Sequence, residues 1–287
     1  MSTASTGRGI VAGIDGSDSA LRAARWAGSV AQRFGEPLHL LHVQTDGRSG
    51  DADSDPERLL DAAETSVRDG PGSVEIERSI EHGTAQTVLV EKSGSARMIV
   101  LGHITTSEMQ SMFRGSDVVY TSNHAQCPVV SWRGAPGPES VDERPVVVGI
   151  DGSTLSSAAI DHAFEFASFT GAPLLAVHSW TEQSTLTYGE GSRFIDWDDY
   201  VKQQNTMVAE SLAARQDRFP DVEVTISVER GKPEEALLEH SAQAQLVVVG
   251  SHGRSPMTAA VLGSTSQSLL HHALCPVLIC RGNRPGG

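Results

Sequence analysis

Leu246-Val-Val-Val249, Gly250-Ser-His-Gly253, nine further residues and then Gly263-Ser264 form the stretch that decides the fold. The apolar run reads as a buried strand, and Ser264 to Leu274 reads as a helix. A strand, a glycine-spaced loop and a helix start make up one physical device, a backbone cradle for phosphate. Glycine lets the main chain come close to a ligand and adopt positive φ without strain. The first helical turn carries unpaired N–H groups and partial positive charge, which favour an anion. Ser264 is expected to cap the helix or to reach a phosphate oxygen. Many glycine loops after strands only turn the chain, so the motif needs support from the rest of the sequence.

That support is an internal duplication. Gly13-Ile-Asp15-Gly16-Ser17 recurs as Gly149-Ile-Asp151-Gly152-Ser153, 136 positions later. Pro37-Leu38 with His42 recurs as Pro173-Leu174 with His178 at the same offset. Further on, Gly102 matches Gly250, Gly115-Ser116 matches Gly263-Ser264, and Cys127-Pro128-Val129 matches Cys275-Pro276-Val277, now at an offset of 148. The second copy therefore carries 12 extra residues, placed within Thr181 to Tyr200. A repeat this long means two similar domains rather than a solenoid. The expected boundaries are 1–134 for the first domain, 135–144 for an exposed Pro/Gly-rich linker, and 145–287 for the second domain.

Each copy alternates β-like runs with amphipathic segments, which indicates an α/β fold with a parallel sheet and helices on both faces. The run Val74–Glu81 alternates in polarity and reads as a strand near an edge. Asp15 and Asp151 end the first strand of their copies, and Gly102 and Gly250 end the fourth. In such sheets ligands bind beyond the carboxyl ends of strands at the topological switch point, where both motifs would meet.

Composition narrows the function. A formal charge of −14 disfavours nucleic acid and anionic membranes as partners. No apolar run approaches the ~20 residues of a membrane span. The three cysteines form no C-x-x-C pair, and Cys127 and Cys275 read as small buried residues. The expected location is the cytoplasm.

The GIDGS block and the G-x2-G-x9-G-S loop, followed by a helix and Cys-Pro-Val, together resemble a tandem universal stress protein of the bacterial, ATP-binding type. The resemblance covers nearly the whole chain. It implies two Rossmann-like domains, each a five-stranded parallel sheet of order 3-2-1-4-5 with helices on both faces. It also implies intramolecular pairing of the domains through their last strands, and the possibility of a homodimer. Many members bind ATP, and their roles are regulatory more often than enzymatic.

Position by position, the resemblance places Asp151 near the adenine and ribose, with Gly152 and Ser153 in the same turn. His178 and Ser179 end strand two, where the family contacts adenine through backbone. Gly250, Gly253, Gly263 and Ser264 would hold the phosphates, with Thr265 and Ser266 behind them and His252 and Arg254 inside the loop. Arg254 is either a phosphate-neutralising group or a solvated surface arginine. The corresponding first-domain positions are Gly13, Asp15, Gly16, Ser17, Val43, Gly102, Gly115 and Ser116. That copy departs from the pattern: Thr105 replaces the second loop glycine, Asp117 brings a carboxylate toward the phosphates, and Val118 stands where the second copy has Ser266. The first domain is expected to bind ATP more weakly than the second.

Catalytic equipment is sparse. There is no G-x4-G-K-[ST] loop and no G-x-S-x-G elbow. Asp15 and Asp151 could hold Mg²⁺ through phosphates, but no base is evident to activate water. His124, His271 and His272 end helices, where imidazole favours the carbonyl terminus. Three readings stay open: an ATP-binding regulatory protein acting on an unidentified protein partner, a slow ATP hydrolase or nucleotide-transfer enzyme, and an interaction module without nucleotide. The insertion reads as a surface loop or a lid over the crevice.

Overall fold

A computed structural model describes residues 9–45, 55–103, 115–133, 140–181, 196–252 and 262–281. The strands are β1 (Ile10–Ile14), β2 (Leu38–Gln44), β3 (Ile76–His82), β4 (Met98–His103), β5 (Val129–Arg133), β6 (Val146–Gly149), β7 (Leu174–Trp180), β8 (Val224–Arg230), β9 (Leu246–Gly250) and β10 (Val277–Cys280). The helices are α1 (Asp18–Phe34), α2 (Pro56–Arg68), α3 (Ala85–Lys92), α4 (Gly115–His124), α5 (Thr154–Thr170), α6 (Trp197–Arg218), α7 (Pro233–Ser241) and α8 (Ser264–His272). Part of the insertion, expected as a loop or lid, is helical: α6 starts at Trp197, capped by the Asp196 carboxylate, and 182–195 lie outside the described residues.

All ten strands join one sheet, in the order β3-β2-β1-β4-β5-β10-β9-β6-β7-β8. Each half therefore has the 3-2-1-4-5 order. Within a half every pairing is parallel, and the halves meet where β5 and β10 run antiparallel, with Val130 opposite Leu278. Inner strands such as β1, Ile-Val-Ala-Gly-Ile, are buried throughout, because helices cover both faces. β3 and β8 lie at the two edges and are only partly buried.

Alternation along the strands sends side chains to two cores. Ile10, Ala12 and Ile14 join a cluster that runs through α1, α2, α5 and α6 and spans both halves. Val11, Leu41 and Val43 face the opposite side, with α3, α4, α7 and α8. On the first face Trp26 of α1 stacks on Phe166 of α5, with ring centroids 6.1 Å apart and planes at 10°. Arg97 ties the same seam. It donates to Glu36 at 2.6 Å and to Glu165 of α5 at 2.9 Å, and its guanidinium lies 5.0 Å from the Phe34 ring.

The segment expected to be an exposed linker is docked over its later part; 134–139 lie outside the described residues. Val141 packs against the main core and donates its N–H to Ser29 Oγ at 3.1 Å. The buried Gln245 amide donates to the Asp142 and Arg144 carbonyls, both at 2.7 Å. Backbone groups beside a core need partners, and these contacts supply them.

The His162 ring and the Arg97 guanidinium hold the Glu165 carboxyl below its ordinary value against the opposing effect of burial. A depressed carboxyl pKa contributes stability above the unfolded value, and that stability is lost as pH falls through the folded value. Glu165→Gln is expected to cost about 1 kcal/mol near neutral pH. Urea unfolding midpoints of the variant and the parent protein should converge as pH falls through the carboxylate range.

Candidate functional site

The first repeated block folds alike in both halves. The Asp15 carboxylate accepts the Ser17 N–H at 3.0 Å, and the Asp151 carboxylate accepts the Ser153 N–H at 2.9 Å. Both turns need the intervening glycine, since Gly16 has φ 83° and Gly152 has φ 77°. Ser17 and Ser153 then cap α1 and α5, accepting the N–H groups of Ala20 (3.2 Å) and Ser156 (3.1 Å). Their hydroxyls thus have structural work beside the expected role in lining the crevice.

Gly102, one residue before the end of β4, and Gly250, the last residue of β9, act differently from expectation. Neither Gly102 nor Gly250 has positive φ. What excludes a side chain is helix contact. A Cβ on Gly102 would lie 2.6 Å from the Ser19 carbonyl carbon and 2.7 Å from the Ala20 nitrogen, both backbone atoms of α1. On Gly250 it would lie 3.0 Å from Leu155 Cβ in α5. These close approaches bring the end of the fourth strand against the helix that follows the Asp turn, so the two motifs do converge in each half.

The α8 start corrects a further expectation. Gly263, at φ −63° and ψ 158°, is the N-cap, and Ser264 is the first helical residue. Among the described residues no side chain caps this end, and its first turn carries no acidic residue. Gly263 donates to the Ser251 carbonyl at 2.8 Å, and Ser266 Oγ donates to the Gly250 carbonyl at 2.8 Å. Ser266 is 2% exposed. It seats the helix start on the strand end rather than facing a crevice. Thr265 follows Ser264 in this first turn. Gly253 and Arg254 lie outside the described residues, as does Thr105 of the first copy.

His178 and His42 do more than mark the end of strand two. Each is buried, and each donates from Nδ1 to the last carbonyl before its Asp turn, His178 to Ile150 at 2.7 Å and His42 to Ile14 at 2.8 Å. The recurrence of this histidine in the sequence was the available signal. Among the described residues Ser179 Oγ is buried with no hydrogen-bond partner, and so is His252 Nε2, while His252 Nδ1 lies 3.1 Å from Ser251 Oγ. Val43 is buried within β2.

The first half differs at its helix start. Asp117 lies in the first turn of α4, and its carboxylate accepts a hydrogen bond from Gln86 of α3 at 2.8 Å. Val118, in place of Ser266, is fully buried and offers no hydroxyl to the Gly102 carbonyl.

Beyond the carboxyl end of β7 the insertion builds an aromatic cluster. Trp197 stacks on Trp180 at 5.2 Å, Tyr200 meets Trp180 edge-on at 4.9 Å, and the Arg230 guanidinium lies 5.9 Å from both indoles. The cysteines are structural in environment: all three are buried, and burial pushes the Cys275 thiol up to about 12. Among the described residues no group of three or more His, Cys, Asp or Glu could hold a metal ion, and no helix is long and apolar enough to cross a membrane. His124 ends α4 and donates to the Tyr120 carbonyl, while His271 and His272 end α8.

The universal stress protein family model matches residues 8–133 and again 143–281. The chain belongs to the universal stress protein family. A universal stress protein of Mycolicibacterium smegmatis is 32% identical to it, covering 98% of this chain and 99% of that one. One from Mycobacterium tuberculosis is also 32% identical, over 98% and 99% of the two chains. The solved universal stress protein of Archaeoglobus fulgidus shares the fold at a TM-score of 0.68 and 20% identity, covering 96% of this chain and 99% of that one. A functionally unknown Pseudomonas aeruginosa protein superposes at 0.63, with 17% identity over 97% and 94%. The universal stress protein architecture thus occurs here twice in one chain.

The packing at the two strand-end glycines makes a graded prediction. Gly102→Ala drives a Cβ into α1 backbone and is expected to cost about 2–3 kcal/mol. Gly250→Ala meets Leu155 Cβ at 3.0 Å and the His252 carbonyl oxygen and Leu155 carbonyl carbon at 3.2 Å, looser contacts than those at Gly102, and should cost about 1 kcal/mol. Thermal unfolding of the two variants checks the order.

Proposed function

We propose that this chain is a cytoplasmic ATP-binding regulatory protein whose nucleotide is held mainly by the second half. The observation that carries the reading is the α8 start, a helix N-terminus with no side-chain cap among the described residues and no acidic residue in its first turn, seated on the carboxyl end of β9. Its first N–H groups have no partner within the helix, and phosphate is the ligand such a terminus favours. In this reading the backbone from Gly250 to Gly253 and from Gly263 to Thr265 holds the phosphates. Asp151 and Gly152 border the ribose, and the β7 end at His178 and Ser179 borders the adenine. Mg²⁺ would arrive with the phosphates. Each Asp carboxylate accepts a hydrogen bond through Oδ1 within its own turn, and turnover is not the role assigned. The nucleotide would bias contact with a protein partner or a second copy of the chain.

The two halves themselves supply the test. Thr265 stands where the first half has Asp117. Thr265→Asp adds a carboxylate at a helix N-terminus, which stabilises the helix but opposes phosphate. The variant should keep its unfolding temperature and lose ATP affinity about tenfold or more in calorimetric titration with Mg²⁺. Purified parent protein should release about one adenine nucleotide per chain on denaturation. Two per chain would give the first half equal standing. No nucleotide and no binding would favour the interaction-module reading, and turnover lost in Thr265→Asp would favour an enzyme.

A further inference from the structure

We propose that Arg133, contributed by the first half, is a positioning residue for the phosphate site of the second half, acting through the far end of α8. The proposal rests on the nucleotide reading above and adds the dependence of one half on the other.

Arg133 ends β5 and donates from Nη1 to the Leu270 carbonyl at 2.7 Å, in the last turn of α8. The antiparallel seam explains the reach: Ser131 pairs with Val277, so the carboxyl end of β5 lies beside the start of β10, next to the turn that leaves α8. Arg281, 148 positions later and just past β10, makes the reciprocal contact and donates from Nη1 to the Asn123 carbonyl in the last turn of α4. Each half thus fastens the carbonyl end of the helix whose amino end faces the other half's candidate phosphate site. A guanidinium there satisfies carbonyls that lack intrahelical partners and complements the negative end of the helix dipole. Arg133 is half-buried, and burial lowers its pKa, so this cation has given up part of its hydration to make the contact.

Apolar packing alone does not fix where α8 lies along its axis. Its seat against the sheet is formed by Leu269, Leu270 and Ile279, all buried. Such contact is non-directional and tolerates sliding. Directional bonds set the position: Ser266 to Gly250 and Gly263 to Ser251 at the amino end, and at the carboxyl end Arg133 to Leu270, with the Leu274 N–H donated to Ser241 Oγ just beyond the helix. A helix of nine residues is about 13 Å long, so a shift at one end is carried to the other.

The test titrates ATP with Mg²⁺ into the full chain well below its unfolding temperature. Arg133→Met should weaken second-half binding about three- to tenfold, as expected for one lost hydrogen bond from a charged donor. Arg133→Lys should recover part of that loss. Arg281→Met removes the matching contact on α4 and serves as the control for general loosening: it should lower the unfolding temperature while leaving the second-half affinity unchanged. Unchanged affinity in Arg133→Met, or equal weakening in Arg281→Met, overturns the proposal. If the parent protein binds no nucleotide, the nucleotide reading fails and amide exchange decides this one. Exchange at residues 264–267 should then rise in Arg133→Met and not in Arg281→Met, and equal exchange in both would overturn the proposal.

Discussion

The antiparallel contact between β5 and β10 is the constraint on which the rest of the molecule depends. Three facing pairs, Ser131 with Val277, Val130 with Leu278 and Val129 with Ile279, join two five-stranded sheets into one. Without it each half would present a short, apolar edge strand, the kind of surface that recruits other chains. With it, the exposed edges of the sheet are β3 and β8, which carry charge. Arg78 on β3 is held by Glu57, Asp61 and Glu64 of α2. The seam also sets what can meet across the halves. Trp26 reaches Phe166, Arg97 reaches Glu165, and Arg133 reaches α8 because β5 and β10 run in opposite directions.

Within that frame the halves have diverged at equivalent places. Lys92 of α3 pairs with Glu81 of β3 at 2.6 Å, and His240 of α7 pairs with Glu229 of β8 at the same distance. Burial acts to raise the Glu229 pKa, but the bonds from His240 and Ser227 outweigh it and hold it below the ordinary value. The seat of α4 is polar: Thr121 and Ser122 of the helix and Ser131 of β5 are fully or almost fully buried, and among the described residues their hydroxyls have no hydrogen-bond partner. Beneath α8 it is apolar. Asp117 occupies one helix start, while Thr265 occupies the other. The same backbone therefore presents two different electrostatic surfaces at its two helix starts, and this difference is the physical ground of the proposal that one half holds a nucleotide.

Much of this was legible in the residues. The apolar runs Leu246–Val249 and Ile10–Ile14 marked buried parallel strands, and the alternation in Val74–Glu81 marked an edge. The repeated blocks fixed the count of two units, and the resemblance carried by the GIDGS and glycine-loop motifs implied both strand order and pairing through the last strands. The resemblance placed Gly152 and Ser153 in a turn beside Asp151, and the structure adds that the carboxylate and the serine close that turn locally, within a few residues.

What the sequence left open depended on partners far along the chain. The reason for Gly250 is Leu155, and the reason for Gly102 is the backbone at Ser19 and Ala20. A glycine needed for close packing and one needed for positive φ look identical in one dimension. The docking of Val141 and Asp142 requires Ser29 and Gln245, which lie about a hundred positions away on either side. Local turn chemistry and hydrophobic period were thus determined by the sequence alone, since neighbours in the chain create them. Which glycine bears a helix, which hydroxyl is consumed by a cap, and which arginine crosses the seam were decided by tertiary structure, because only the folded sheet brings those atoms within hydrogen-bond reach.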